Sequence, residues 1–165
     1  DLNDNDLVEM ARLTIDQPIH VRFIELMPFG SGEPEEIARQ QVVPSAESRQ
    51  KIEAALGELI PDPSPDPADE SRNFRFANAQ GNIGFISPVS DPFCGFCNRV
   101  RLSAEGKLLL CLLRDDEADL RSVIRSGGGV TAIREALSKA ILQKPVGHAL
   151  DQGSHSSRRM HDIGG

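Results

Sequence analysis

Three cysteines, at 94, 97 and 111, stand in a C-x2-C-x13-C array, and no other feature restricts the fold so tightly. For one centre to use all three, the chain must leave the C-x2-C loop, turn and come back within the 13 residues between Cys97 and Cys111, the span of a single hairpin. The intervening residues agree with that demand. Strand-like runs at 99–103 and 107–112 flank the turn Ala104, Glu105, Gly106, and the pair reads as a hairpin.

An odd count of cysteines and the absence of a secretory signal argue against a disulfide framework. Metal binding is the leading alternative, since two thiolates three positions apart can grip one centre and a hairpin return can add a third. A structural zinc site wants four protein ligands, so a histidine would have to complete a Cys3His set. His20 falls on an expected strand, and His148, His155 and His161 fall in the tail, none at finger-like spacing. A [4Fe-4S] cluster on three cysteines is the other solution, and it leaves one iron open to a small ligand. Arg99 and Arg101, two apart on a strand, share one side of it, and guanidinium forks suit phosphate oxygens. Spacing therefore leans toward an open iron beside a phosphate-gripping pair, a nucleotide site. A non-catalytic, zinc-stabilised binding module stands as the alternative.

Elsewhere the pattern is that of an α/β chain. Residues 3–13 read as a helix with Leu7, Val8 and Ala11 on one face, broken by Gln17 and Pro18. Residues 19–27 read as a strand buried on both faces near its end. Residues 28–36 read as a loop, and Ser45 as the cap of a helix that presents Ile52, Ala55, Leu56 and Leu59 and ends at Pro61. The Pro-rich, acidic run 61–71 reads as a solvent-exposed insertion without an apolar anchor. Strands are expected over 73–77 and 83–87 around Gly81 and Asn82, and helices over 117–125 and 131–142, the latter with Ile133, Leu137 and Ile141 inward. The tail from His148 onward is polar and unpatterned.

A hydrophobic fraction of 39% suffices for a core. The net charge of -7 speaks against nonspecific nucleic-acid binding, and no apolar run approaches the roughly 18 residues of a spanning helix. No membrane partner and a cytoplasmic location are expected. The chain opens DLNDNDL without a methionine, as a piece whose N-terminal part lies upstream would.

The run CGFCNRVRLSAEGKLLLCL, preceded by GNIGFISPVSDPF, closely resembles the C-terminal cluster motif of the GTP 3',8-cyclase family, the molybdenum cofactor biosynthesis protein A of the radical S-adenosylmethionine enzymes. VRFIELMP at 21–28 looks like that family's last barrel strand, and RRMHDIGG like its double-glycine tail. The resemblance implies a lyase that abstracts hydrogen from C3' of the GTP ribose and joins that carbon to C8 of guanine, giving 3',8-cyclo-7,8-dihydro-GTP. It further implies that residues 1–36 are the last strand and helix of an incomplete barrel. Residues 37–165 would be an α+β domain carrying a second [4Fe-4S] cluster, with the insertion 61–71 and a tail from 148 to 165. Carried over by position, Cys94, Cys97 and Cys111 would hold that cluster, Arg99, Val100 and Arg101 would contact GTP, and Met27 would touch S-adenosylmethionine. Gly164 and Gly165 would serve turnover. The first cluster belongs to a C-x3-C-x2-C motif that this chain lacks, so the chain alone should bind GTP without converting it. A homodimer is expected of the whole protein.

Without the resemblance, Met27 reads as a core filler, Glu25 has no assignment, and Lys107, Arg158 and Arg159 read as solvated. The two final helices read as packing elements.

Overall fold

In the computed structural model, residues 3, 5–28, 30, 33–150 and 156–158 are described, without the side chains of 33–35. The elements run α1 (Leu7–Asp16), β1 (His20–Ile24), α2 (Glu33–Gln40), α3 (Ser45–Leu56), β2 (Ile60–Pro61), β3 (Ser71–Arg75) and β4 (Asn82–Ile86). A 3-10 turn, Cys94–Phe96, leads to β5 (Arg101–Leu102), β6 (Lys107–Leu109), β7 (Glu117–Asp119), α4 (Leu120–Arg125) and α5 (Gly129–Leu142). The chain is thus mixed α and β, with one mixed and one antiparallel sheet. Among the described residues no helix is long and apolar enough to cross a membrane.

Two compact units divide the chain, 1–27 with 41–96, and 28–40 with 97–165. The first holds the sheet β1-β4-β3-β2, in which β1 and β4 run parallel and the remaining neighbours antiparallel. Its core gathers Ala11, Ile52, Leu59, Phe76, Ile83 and Phe85, with Phe85 stacked on Phe23 at 5.8 Å between ring centroids. Each fully buried Ile, Leu or Phe contributes about 1.5–3 kcal/mol, so this cluster dominates the unit. Gly81 precedes β4 because a Cβ there would stand 2.0 Å from the Ile19 carbonyl oxygen. No side chain fits that approach.

Only one face of β1 is covered. Val21 is buried, whereas Ile24 is 59% exposed, so the expected burial of both faces fails in this unit. Helix α3 stops at Leu56, where Gly57 takes a φ of 103°, four residues before Pro61. Pro44 occupies its N-cap and Ser45 makes no capping bond. Ile52 and Leu59 are buried as expected, but Ala55 faces out.

The acidic run 61–71 is more ordered than its composition implies. The Asp66 carboxylate accepts from Ala68 N, the Asp69 carboxylate accepts from Ser71 N and Asn73 Nδ2, and Ala68 is buried. Aspartates that bond their own backbone two residues on close local turns without an apolar anchor. The Ser71 amide, first of its causes, lowers the Asp69 pKa against its partial burial.

The second unit holds the antiparallel sheet β5-β6-β7 under a small core of Leu108, Leu110, Leu120 and Ala140. The expected β5–β6 hairpin is present, and Gly106 supplies its turn with a φ of 79°. Two expectations are corrected here. Residues 117–119 form β7 and not the first turn of a helix. They pair with β6, and Asp119 then caps α4 by accepting from Ser122 N at 2.9 Å. In α5 the inward positions are Ala136, Leu137 and Ala140, while Ile141 is 55% exposed. The helix begins at Gly129, two residues before Thr131, and its packed stripe runs through Ala136 and Ala140, beside the Ile133–Leu137–Ile141 row that sequence spacing implied. Helix α2 lies where a loop was expected over its first turn; Pro34 near a helix start is tolerated because the first N–H groups have no intrahelical partner.

Candidate functional site

The cysteine loop is reached from β1 and β4 through one carboxylate. Glu25, the residue after β1, is 5% exposed. Its carboxylate accepts from Ser45 N at 2.8 Å, Val89 N at 3.1 Å, Ser90 N at 2.9 Å and the Ser90 hydroxyl. Burial alone would raise its pKa, but the bonds from Ser90, Ser45 and Val89 outweigh it and hold the carboxyl below the usual range. One charge thereby fastens the end of β1, the start of α3 and the loop that leads from β4 to Cys94. Sequence reading left Glu25 unassigned. Its signal was a lone acid at the end of an apolar strand, where a buried charge must be satisfied by something distant in sequence.

Cys94 opens the 3-10 turn at the end of the first unit, and Cys97 and Cys111 lie in the second. All three are partly buried, and no disulfide joins them. Three partly accessible thiols with no disulfide are the ligand chemistry that an iron-sulfur centre uses. The described residues contain no group of three or more His, Cys, Asp or Glu gathered closely enough to hold a metal ion. The zinc alternative gains no histidine there either. His20 is exposed on β1, and His148 uses Nδ1 to accept from Leu150 N; His155 and His161 lie outside the described residues.

In the second unit Arg101 pairs with Leu109 and Leu102 with Leu108, and the described ladder ends there, with Arg99 and Cys111 just beyond it. Lys144, just past α5, closes the strand ends at that level, its ammonium donating to the carbonyls of Arg99, at 3.0 Å, and Leu110. Arg99, Val100 and Arg101 are all exposed, and only Arg101 lies within the β5 ladder. Lys144 was not singled out by sequence, because a lysine after a helix gives no sign of carbonyls 34 and 45 residues away.

Met27 follows β1 and is partly buried. Gly164, Gly165 and Arg159 lie outside the described residues. Two residues read as solvated are engaged. Lys107 bridges Glu117 at 3.2 Å and Asp119 at 3.4 Å across the β6–β7 pair, and these partners, the Glu117 bond first, raise its pKa. Arg158 donates to Glu117 at 2.7 Å, to Asp115 and to two backbone carbonyls. An open, largely apolar groove in the first unit is lined by Ile15, Leu56, Ile60 and Phe76, and its lining includes none of the candidate site residues.

Residues 19–150 match the family described as Molybdenum Cofactor Synthesis C. The chain is 42% identical over 163 residues to a GTP 3',8-cyclase of Pelotomaculum thermopropionicum, covering 99% of this chain and 50% of that protein. It is 38% identical over 166 residues to a GTP 3',8-cyclase of Moorella thermoacetica and 41% identical over 166 residues to one of Heliobacterium modesticaldum, with 99% of this chain covered in each case. The chain spans about half the length of these relatives, 49% and 50% for the latter two.

Proposed function

The chain belongs to the Molybdenum Cofactor Synthesis C family, and from that membership we propose that it supplies the carboxy-terminal half of a GTP 3',8-cyclase. The whole protein would be a lyase of the radical S-adenosylmethionine class that converts GTP to 3',8-cyclo-7,8-dihydro-GTP on the path to molybdopterin. Cys94, Cys97 and Cys111 would hold a [4Fe-4S] cluster, which when bound supplies an iron not taken by cysteine as an attachment point for GTP.

The chain's own residues position the nucleotide. Arg99 and Arg101 would take phosphate oxygens with their guanidinium forks, and Val100 between them would pack against GTP. Glu25 holds the approach to Cys94, and Lys144 holds the strand ends at Arg99 and Leu110. Met27 would contact S-adenosylmethionine, and Gly164 with Gly165 would act at turnover. Residues 1–36 would complete an α/β barrel whose remaining part carries the first cluster, since no C-x3-C-x2-C motif occurs here. A cytosolic homodimer of the whole protein fits this role.

The observation that supports the reading is the family match over residues 19–150, a span that contains Cys94, Cys97, Cys111, Arg99 and Arg101. Anaerobic reconstitution followed by iron and sulfide analysis tests it. A brown protein with about four irons per chain is expected. Stoichiometric zinc with no acid-labile sulfide would overturn the cluster reading in favour of a binding module.

A further inference from the structure

Ser156, Ser157 and Arg158 are held by the turn between β6 and β7 in a knot that composition did not foreshadow. The Asp115 carboxylate accepts from Ser156 Oγ at 2.9 Å, Ser157 Oγ at 2.7 Å and Ser157 N at 3.2 Å. Arg158 Nη1 reaches the same carboxylate at 3.1 Å and the Arg114 carbonyl at 3.2 Å, while Nη2 reaches the Asp115 carbonyl and Glu117. Ser156 is fully buried, and its carbonyl accepts from Gly30 N at 3.2 Å. Its hydroxyl also accepts from Arg158 N at 3.3 Å. Arg158 thus spans two carboxylates, with one contact to each, and two backbone carbonyls.

The geometry points to Asp115 as a positioning residue for the carboxy-terminal segment: from its place four residues beyond Cys111 it moors Ser156–Arg158. The reason is chemical economy. An acyclic segment rich in serine has no apolar anchor, and a single carboxylate that collects two hydroxyls, an amide and a guanidinium replaces one. Burial acts against the ionised form of Asp115, yet the hydrogen bonds from Ser157 and Ser156 and the charge of Arg158 leave its pKa lowered. The charged form is therefore the one the knot selects. The role in turnover rests on the proposed function, in which the terminal glycines act; the mooring itself does not.

Two readouts on the full-length protein separate these layers. Hydrogen exchange at the amides of Ser157 and Arg158 reads the mooring, and kcat with the GTP dissociation constant reads its use. Asp115→Asn and Asp115→Ala should accelerate exchange of the 156–158 segment about tenfold or more, leaving β4 unchanged. They should lower kcat at unaltered GTP affinity, and Asp115→Glu should recover part of both effects. Unchanged exchange in Asp115→Ala overturns the mooring. Faster exchange with wild-type kcat and KM overturns the positioning role and leaves the proposed function intact. Absence of GTP turnover in the reconstituted wild type sinks the functional reading, and the positioning role with it, while the exchange result still decides the mooring. Loss of folding in the Ala variant is recognised by faster exchange in β4, and the Asn variant then carries the test.

Discussion

Glu25 and Asp115 are both carboxylates that gather serine hydroxyls and backbone amides, yet they are built on opposite principles. Glu25 is 5% exposed, and its donors among the described residues are uncharged. Asp115 keeps a side-chain exposure of 45% and shares Arg158 with Glu117, which Lys107 bridges in turn. The first knot lies beside a large apolar core, and low dielectric strengthens its fixed dipoles. The second lies beside a small core and substitutes charge for carbon. The unit that carries Arg99, Arg101, Cys97 and Cys111 is thus the more dependent on ionic ties, and the scaffold behind Cys94 the less.

The largest effect expected from this contrast is at Glu25. Glu25→Ala leaves the amides of Ser45, Val89 and Ser90 without an acceptor in a dry place, and should cost about 3 kcal/mol. Glu25→Gln keeps one acceptor and should cost roughly half as much. Chemical denaturation measures both, and thiol labelling of Cys94 should accelerate in the same order. Equal, small losses for the two variants would show that the buried knot is no stronger than the exposed one.

The molecule was unevenly legible from its residues. The β5–β6 hairpin followed from turn chemistry at Gly106 and from the cysteine spacing, because both are local. The β3–β4 pair followed for the same reason. Residues 117–125 misled, since acids before an apolar run fit a helix start equally well, and only pairing with β6 makes 117–119 a strand. The face of α5 was misread because small residues, Ala136 and Ala140, fill the packed stripe that the larger Ile141 was expected to occupy. At the candidate site, the cysteines and arginines attracted their proposed roles by type and spacing. Glu25, Lys144 and Asp115 did not, for their partners lie 20 to 65, 34 to 45 and 41 to 43 residues away. Residue type can suggest a ligand, whereas a residue that ties together segments distant in sequence is visible only in the fold.

An intermediate effect belongs to Lys144, whose ammonium binds the two strand ends beside Cys111. Lys144→Met removes both bonds and keeps the stem. A partly exposed charge on carbonyls contributes about 1 kcal/mol, so alkylation of Cys111 should accelerate about fivefold with β4 exchange unaltered. Lys144→Arg, which can still donate to carbonyls, should lie between. If Cys111 reactivity is indifferent to both, the ionic ties of the second unit do not extend to its strand ends.

The smallest and most discriminating effect is on conditions. Both carboxyls have pKa values below their ordinary 4.5 and 3.8, and hydrogen bonds from Ser122, the backbone amide first, bring Asp119 to about 2. A lowered carboxyl contributes stability that is complete above the ordinary value and is lost as pH falls through the folded one. Acid should therefore loosen both knots below about pH 4, and pH alone cannot tell them apart. Salt can. At neutral pH, about 1 M NaCl shortens the screening length to roughly 3 Å. Arg158 pairs with Asp115 and with Glu117, Lys107 pairs with Glu117, and Arg114 pairs with Asp116 next in the chain, all through partly exposed side chains. Exchange at Ser157 and Arg158 should rise about two- to fourfold, while exchange at Val89 and Ser90 stays flat because no mobile ion reaches Glu25. A parallel rise at both places would mean that Glu25 is held by long-range charge and not by the dipoles that touch it.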